Sequence, residues 1–296
     1  MQIRFLEYLV ALDQERHFAR AAQRCNVSQP TLSAGLVALE EQLGTRLIDR
    51  DRRFKDLTPE GKAVLPWAQQ MVANFHGLTA AARSVDGPLT GVIRIGVIPA
   101  AMPAAGFLAK ALLAIHPDLN ISFRSLTSAA IVRDLATFEI DAGISYLDTE
   151  APHHLTSVAL YAERPVFLVS KSYPQTVKNR ISFQEALDHP LCLLHGGMQN
   201  RRILDALLLQ ANLVANPIAT ADSYETLLAM AASNRFATIL PDSYVSLVPE
   251  WANVIPFSSS FEASPVGLIV SNRAPLSLMG KAALDAAATL VMPVIS

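Results

Sequence analysis

Apolar residues recur at helical spacing through the start of the chain. Phe5, Leu6, Leu9 and Leu12 predict a helix over about Ile3 to Glu15, and a shorter one follows over about Phe18 to Cys25. In the second, the small pair Ala21-Ala22 lets another helix pack closely. Asn26-Val27-Ser28 reads as a tight break. A third helix then starts at Gln29-Pro30-Thr31-Leu32-Ser33 and runs through Leu36, Leu39 and Leu43 to Gly44, a glycine suited to helix termination. Leu47 to Arg50 and Phe54 to Leu57 bracket a basic turn, Asp51-Arg52-Arg53, which predicts a two-stranded wing.

Thr58-Pro59-Glu60 is a helix start, with a capping hydroxyl, a proline in the first turn and an early acidic residue. From there Val64, Ala68, Met71, Phe75, Leu78, Ala82 and Val85 alternate at spacings of four and three, the seam of a coiled coil. A lone helix joining two domains has little of its own chain to pack on, so this seam is expected to pair two copies. Pro66 is expected to kink the helix, and Asp86-Gly87-Pro88 to end it.

Beyond Gly91 the pattern changes to short apolar runs alternating with helical stretches. Strand-length runs occur at 92–98, 120–123, 142–145, 166–169, 191–194, 237–240 and 266–270. This predicts an α/β region with largely parallel sheets.

The chain has 296 residues, enough for two or three folding units, and 51% of them are apolar, which excludes general disorder. No run of apolar residues is long enough to span a membrane, and the start does not read as a signal peptide. The two cysteines, Cys25 and Cys192, sit beside apolar residues and read as core thiols. A reducing, cytoplasmic setting is expected. Net charge is -2; residues 1 to 62 hold ten basic and nine acidic side chains, so charge alone does not reveal a nucleic-acid binder.

The N-terminal residues resemble the DNA-binding domain of LysR-type transcriptional regulators. The match is carried by Ala21-Ala22, Val27-Ser28-Gln29-Pro30, Ser33, Leu39-Glu40, Leu43-Gly44, Leu47-Ile48, Arg50, Leu57-Thr58 and Gly61, many positions at fixed offsets. The resemblance implies three parts: a winged helix-turn-helix over 1–58, a linker and dimerisation helix over 59–88, and an effector-binding domain over 89–296. That last domain has a two-lobed, periplasmic-binding-protein-like (type 2) fold, with lobe one at about 91–161 and 268–296 and lobe two at about 162–267. The implied partners are double-stranded promoter DNA, a small-molecule effector, a second copy in a homodimer or homotetramer, and RNA polymerase. Two departures stand out: His17 replaces the usual serine before the second helix, and Ala34-Gly35 replaces polar or basic residues after Ser33.

Physical chemistry supports the same reading. The first turn of the third helix presents Ser28, Gln29, Pro30, Thr31 and Ser33, short side chains able to reach base edges in a major groove. Arg50, Arg52 and Arg53 are placed for phosphate or minor-groove contacts that supply affinity more than sequence choice.

In a two-lobed α/β fold, ligands sit where strands end and helices begin, near free N–H groups and positive dipole ends. Three turns fit: Ala100-Ala101, Thr127-Ser128, and the run His195, Gly196, Asn200, Arg201 and Arg202. Cations and helix starts favour a small organic anion, a carboxylate. Asp222-Ser223-Tyr224-Glu225 has the form of a capping box with Asp222 at the cap and is read as structural, with Ser223 and Tyr224 able to border the cleft.

No cofactor or metal is expected. Cys192 and His195 lack a partner that would activate a thiolate, and His153-His154 is a weak metal signal. A periplasmic-type solute-binding protein is the alternative, and an enzyme using the cleft comes third. Residues 1 to 88 speak against the former.

Overall fold

The computed structural model describes residues 2–50, 54–83, 87–147, 154–175, 178–258, 262–272 and 275–290. Arg52, Arg53, Val85 and His153 lie outside the described residues. Two compact units result, one of residues 1–89 and 136–139, the other of 90–135 and 140–296.

The first unit contains α1 (Ile3–Glu15), α2 (Phe18–Arg24), α3 (Gln29–Leu43), β1 (Ile48–Arg50), β2 (Phe54–Leu57) and α4 (Pro59–Arg83). Leu6, Leu9 and Leu12 of α1 meet Ala21-Ala22 of α2 and Leu32, Leu36 and Leu39 of α3 in one core. Gly44 ends α3 at a φ of 69°, which only a residue without Cβ adopts at no steric cost. The antiparallel pair β1-β2 is the expected wing. Thr58 caps α4, its hydroxyl accepting from the Gly61 amide at 3.0 Å and donating to the Arg46 carbonyl at 2.7 Å. α4 continues as one helix through Pro66.

The seam expected along α4 divides into two parts. Ala68 is buried in the core of this unit, with Val64 packed against it, so these two serve the domain and not a second chain. Met71, Phe75, Leu78 and Ala82 are exposed, as is Trp67. The inward side of α4 passes through Leu65, Ala68 and Val72 to His76, whose Nε2 lies 3.4 Å from Glu7 of α1, so the later seam positions fall off the side that α1 covers.

The second unit has two lobes, each built on a five-stranded sheet. Lobe one carries β3 (Gly91–Val97), a short turn of 3₁₀ helix (Pro99–Ala101), α5 (Met102–Ile115), β4 (Leu119–Ser125), α6 (Ser128–Ala136), β5 (Ala142–Tyr146) and β6 (Leu155–Glu163). The chain then crosses to lobe two: β7 (Pro165–Ser170), α7 (Phe183–Leu187), β8 (Leu191–Leu194), α8 (Gln199–Gln210), β9 (Ala219–Ala221), α9 (Tyr224–Ala232), β10 (Ala237–Pro241), a 3₁₀ turn (Asp242–Leu247) and β11 (Ala252–Pro256). It returns through β12 (Ser264–Ser271) to α10 (Leu278–Ala288).

The sheets are mixed, not largely parallel. β4-β3-β5 and β10-β8-β9 are parallel, whereas β12 runs antiparallel to β5 and β6, and β7 antiparallel to β10 and β11. The antiparallel strands are those that lead the chain out of one lobe and back. Since all of β12 pairs with β5 or β6, residues 264–267 and 162–163 belong to the first sheet, which moves both expected lobe boundaries by a few residues.

Candidate DNA interface and effector cleft

Ser28 is the N-cap of α3, its Oγ accepting from the Thr31 amide at 3.2 Å and bonded to Thr31 Oγ1 at 2.8 Å. These two hydroxyls are therefore partly used in shaping the turn. Gln29 and Pro30 are exposed beside them, and Ser33 is half-buried one turn later. Gly35, in contrast, is buried: a Cβ there would lie 2.7 Å from the Tyr8 ring. Its position is a packing position against α1, so the Ala34-Gly35 departure costs no outward contact at residue 35. His17 caps α2 through its backbone only, with no side-chain bond.

Two carboxylates fix the wing against the helices. Glu40 on α3 is buried, and its Oε1 accepts from the amides of Leu47 and Ile48 at 2.9 and 3.1 Å, tying the start of the wing to the recognition helix. Asp56 on β2 accepts from Arg16 at 2.8 Å and Lys62 at 2.6 Å. Those bonds, the Lys62 one foremost, hold its pKa down to about 2. Arg16 and Lys62 are thus engaged in positioning the wing. Arg50 sits opposite Phe54 in the hairpin.

In the second unit a cavity of about 230 Å³ opens between the lobes. Ala100, Thr127, Ser128, Asn200 and Arg202, all candidates from the sequence, line it. Thr127 Oγ1 caps α6 by accepting from the Ala130 amide, and Ser128 Oγ accepts from Ser145. Among the described residues neither hydroxyl donates to another group, so both can donate to a ligand. Met198 is the N-cap of α8 and offers no side-chain bond, so the first amides of that helix have no capping oxygen. Arg202 is exposed and forms no ion pair among the described residues.

Four candidates stand elsewhere. Arg201 donates from Nε to Asp205 at 2.8 Å and from Nη1 to the Leu194 carbonyl at 3.0 Å, with its side chain only 10% exposed; it braces α8 and does not face the cavity. His195 accepts from the Gly197 amide through Nδ1, and Gly196 is outside the lining, as is the fully buried Ala101. The cap of α9 is Ser223, not Asp222, and Tyr224 is buried behind the cavity lining. A capping box does occur, at Ser182 and Glu185 of α7.

Tyr146 is the cleft residue the sequence reading missed. It ends the fully buried strand β5, and burial pushes its phenol pKa far up. Its hydroxyl donates to Glu163 Oε1 at 2.7 Å and accepts from Asn200 Nδ2 at 2.8 Å. A strand-terminal aromatic was the available signal, but only the pairing of β5 with β12 places it at the cleft.

Residues 3–62 match the bacterial regulatory helix-turn-helix protein, lysR family, and residues 86–290 match the LysR substrate binding domain. The chain belongs to the LysR family of transcriptional regulators. It is similar to the hydrogen peroxide-inducible genes activator of Haemophilus influenzae, 31% identical over 245 residues covering 82% of this chain and 80% of that protein. It is also similar to the regulator XapR of Escherichia coli, 27% identical over 254 residues, 86% of each. Among solved structures, a full-length OxyR variant from Pseudomonas aeruginosa superposes with a TM-score of 0.76 at 27% identity, covering 99% of both chains. CbnR in complex with its target DNA shares the fold, with a TM-score of 0.67 at 20% identity over 97% of this chain and 99% of that one. As a LysR-type regulator the chain pairs a DNA-binding helix-turn-helix with an effector-binding domain, and its relatives are regulators, not enzymes. No described helix is long and apolar enough to cross a membrane.

Proposed function

We propose that this LysR-type regulator reads promoter DNA with the first turn of α3 and answers to a small organic anion, a carboxylate, held between the lobes. Residues 1–58 serve as the DNA-binding domain, 59–88 as the linker and dimerisation helix and 89–296 as the effector domain, in the cytoplasm. RNA polymerase is the further partner that family membership adds.

The observation that carries the effector reading is the charge and donor set of the cleft. An uncapped helix start, two hydroxyl donors and the Arg202 guanidinium meet in a cavity whose other walls include Ile98, Pro99, Ala100 and Leu194. Donors and a cation without a matching anionic partner select an anion, and the apolar walls select a compact organic body. A thermal-shift screen of small carboxylates on the full chain tests it: a hit raises the melting temperature in proportion to occupancy. Arg202→Glu should weaken that hit by at least about tenfold, the value of one charge-assisted hydrogen bond, with effector-free DNA binding unchanged. A response confined to neutral or cationic compounds would overturn the reading.

On the DNA side, Ser28, Gln29, Thr31 and Ser33 supply contacts from the α3 turn around Pro30, and Arg50, Arg52 and Arg53 supply phosphate or minor-groove contacts from the wing. Gln29→Ala should weaken the cognate site by roughly tenfold while leaving random DNA nearly unaffected, as competition titrations would show. Equal losses on both would make Gln29 a positioning residue.

The peroxide response named for several relatives is not carried over. Thiol-based sensing needs an accessible thiolate. Cys192 is fully buried, with burial pushing its pKa up to about 11, and burial also raises that of the half-buried Cys25.

A further inference from the structure

A chain of hydrogen bonds crosses the cleft at the hinge. Tyr146 ends β5 in lobe one, Glu163 ends β6 where the chain leaves that lobe, and Asn200 opens α8 in lobe two. Asn200 Nδ2 donates to Tyr146 Oη and to Glu163 Oε1, both at 2.8 Å, and Tyr146 Oη donates to the same carboxyl oxygen at 2.7 Å. Oε1 therefore accepts two bonds from opposite lobes. The other oxygen, Oε2, is buried and has no partner among the described residues. Beside it lies a water-sized cavity of about 20 Å³, lined in part by Glu163, Asn200, Glu262 and Ser264.

We propose that Glu163 is a proton-dependent clasp between the lobes: with a proton on Oε2 it stays neutral and buried while Oε1 holds Tyr146 and Asn200 across a closed cleft, and once ionised it favours open lobes in which water solvates the charge. The proposal rests on the cleft being the effector site, since Tyr146 and Asn200 both line it. A second inter-lobe contact, Ser243 and Tyr244 donating to the carbonyls of Ala100 and Pro99, closes the other wall, on the 3₁₀ turn that begins with Asp242.

The surroundings of Glu163 explain why the proton is retained. Facing it are the phenols of Tyr146 from β5, Tyr161 from β6, Tyr224 from α9 and Tyr244 from the 3₁₀ turn, together with the carboxyl group of Asp242, while Glu262 borders the same small cavity. None of these is a cation. Burial, with Asp242 adding to it, raises the Glu163 pKa from 4.5 to about 8 in spite of the bonds from Tyr146 and Asn200. Opened lobes would hydrate the carboxyl and return it toward its ordinary value. Because the closed arrangement binds the proton more tightly, it is favoured fully at pH below about 4.5, and the advantage falls as pH rises toward about 8. Between those limits the closed-to-open ratio should drop by up to about tenfold per pH unit. Asp242 is itself raised by burial and would titrate in the same sense, so the test must isolate Glu163.

Amide hydrogen exchange on the full-length protein, without effector or DNA and corrected for the intrinsic effect of pH on exchange, does so. Peptides covering 97–102 and 196–203 report the two cleft walls. Wild type should lose at least tenfold protection in both between pH 6 and 8.5, whereas Glu163→Gln, which keeps an oxygen acceptor and cannot ionise, should show a loss several-fold smaller, leaving only what Asp242 contributes. Tyr146→Phe should lower protection several-fold already at pH 6. A flat wild-type profile, an undiminished loss in Glu163→Gln, or Tyr146→Phe matching wild type at pH 6 would each overturn the clasp. If Glu163→Gln fails to fold, Asp242→Asn, which should keep most of the wild-type loss, and Tyr146→Phe still decide. A wrong anion assignment would leave these results untouched, because no ligand is present.

Discussion

Gly61→Ala should unfold the DNA-binding unit and abolish operator binding while the effector domain keeps its own melting transition. Gly61 lies in the first turn of α4, where a Cβ would sit 2.0 Å from the carbonyl oxygen of Leu47 and 2.9 Å from its carbonyl carbon. The obstacle is backbone, so no rotamer change relieves it, and the helix must move off the wing it helps to hold. Overpacking of this kind costs about 3 kcal/mol or more, a large part of a small domain's stability. Gly77→Ala on the same helix is the control. Nothing lies within 4 Å of a Cβ there, so it should stabilise by about 0.5–1 kcal/mol through helix propensity. Differential scanning calorimetry separates the two variants, and a Gly61→Ala protein that melts like wild type would refute the contact.

Met71→Asp combined with Phe75→Asp should convert the protein to a monomer and weaken binding to a two-half-site operator by roughly 100-fold or more, the usual gain from joining two binding modules. Trp67, Met71, Phe75 and Leu78 expose 69%, 44%, 43% and 68% of their surface, an accumulation of large apolar side chains on one helix that a lone chain leaves in water. Paired helices would cover Met71, Phe75, Leu78 and Ala82, and carboxylates introduced there would be buried against their own symmetry mates. Sedimentation velocity measures the first effect and fluorescence anisotropy the second. Wild type sedimenting as a monomer at micromolar concentration would remove the basis for both.

The local pattern of the chain was sufficient for the N-terminal unit, where each element announces itself. Leucines at helical spacing made α1 and α3, Gly44 stopped α3, and Thr58-Pro59 began α4. Contacts there are short in sequence, so periodicity and packing coincide. The exception is α4, whose uniform seam does not say that Val64 and Ala68 face inward while Met71 and Phe75 face out; that division follows from the side on which α1 packs, the side that carries Val72 and His76.

The effector domain shows the limit. Ala100, Thr127, Ser128, Asn200 and Arg202 were legible because loop–helix junctions carry their own signals. Arg201 and Arg202 were not separable, since adjacent residues on a helix point about 100° apart and only the placement of Asp205 and the Leu194 carbonyl decides which is braced. β6, β9 and β11 were missed because they are short or mostly half-exposed and lack a clean apolar run. Tyr146 and Glu163, 17 residues apart, meet because the late strand β12 inserts between β5 and β6, and Asn200, 37 beyond, joins them only because the chain crosses to the second sheet. Residue spacing encodes faces of helices and strands, but it holds no record of which distant strand ends are brought together, and at this hinge that juxtaposition determines the chemistry.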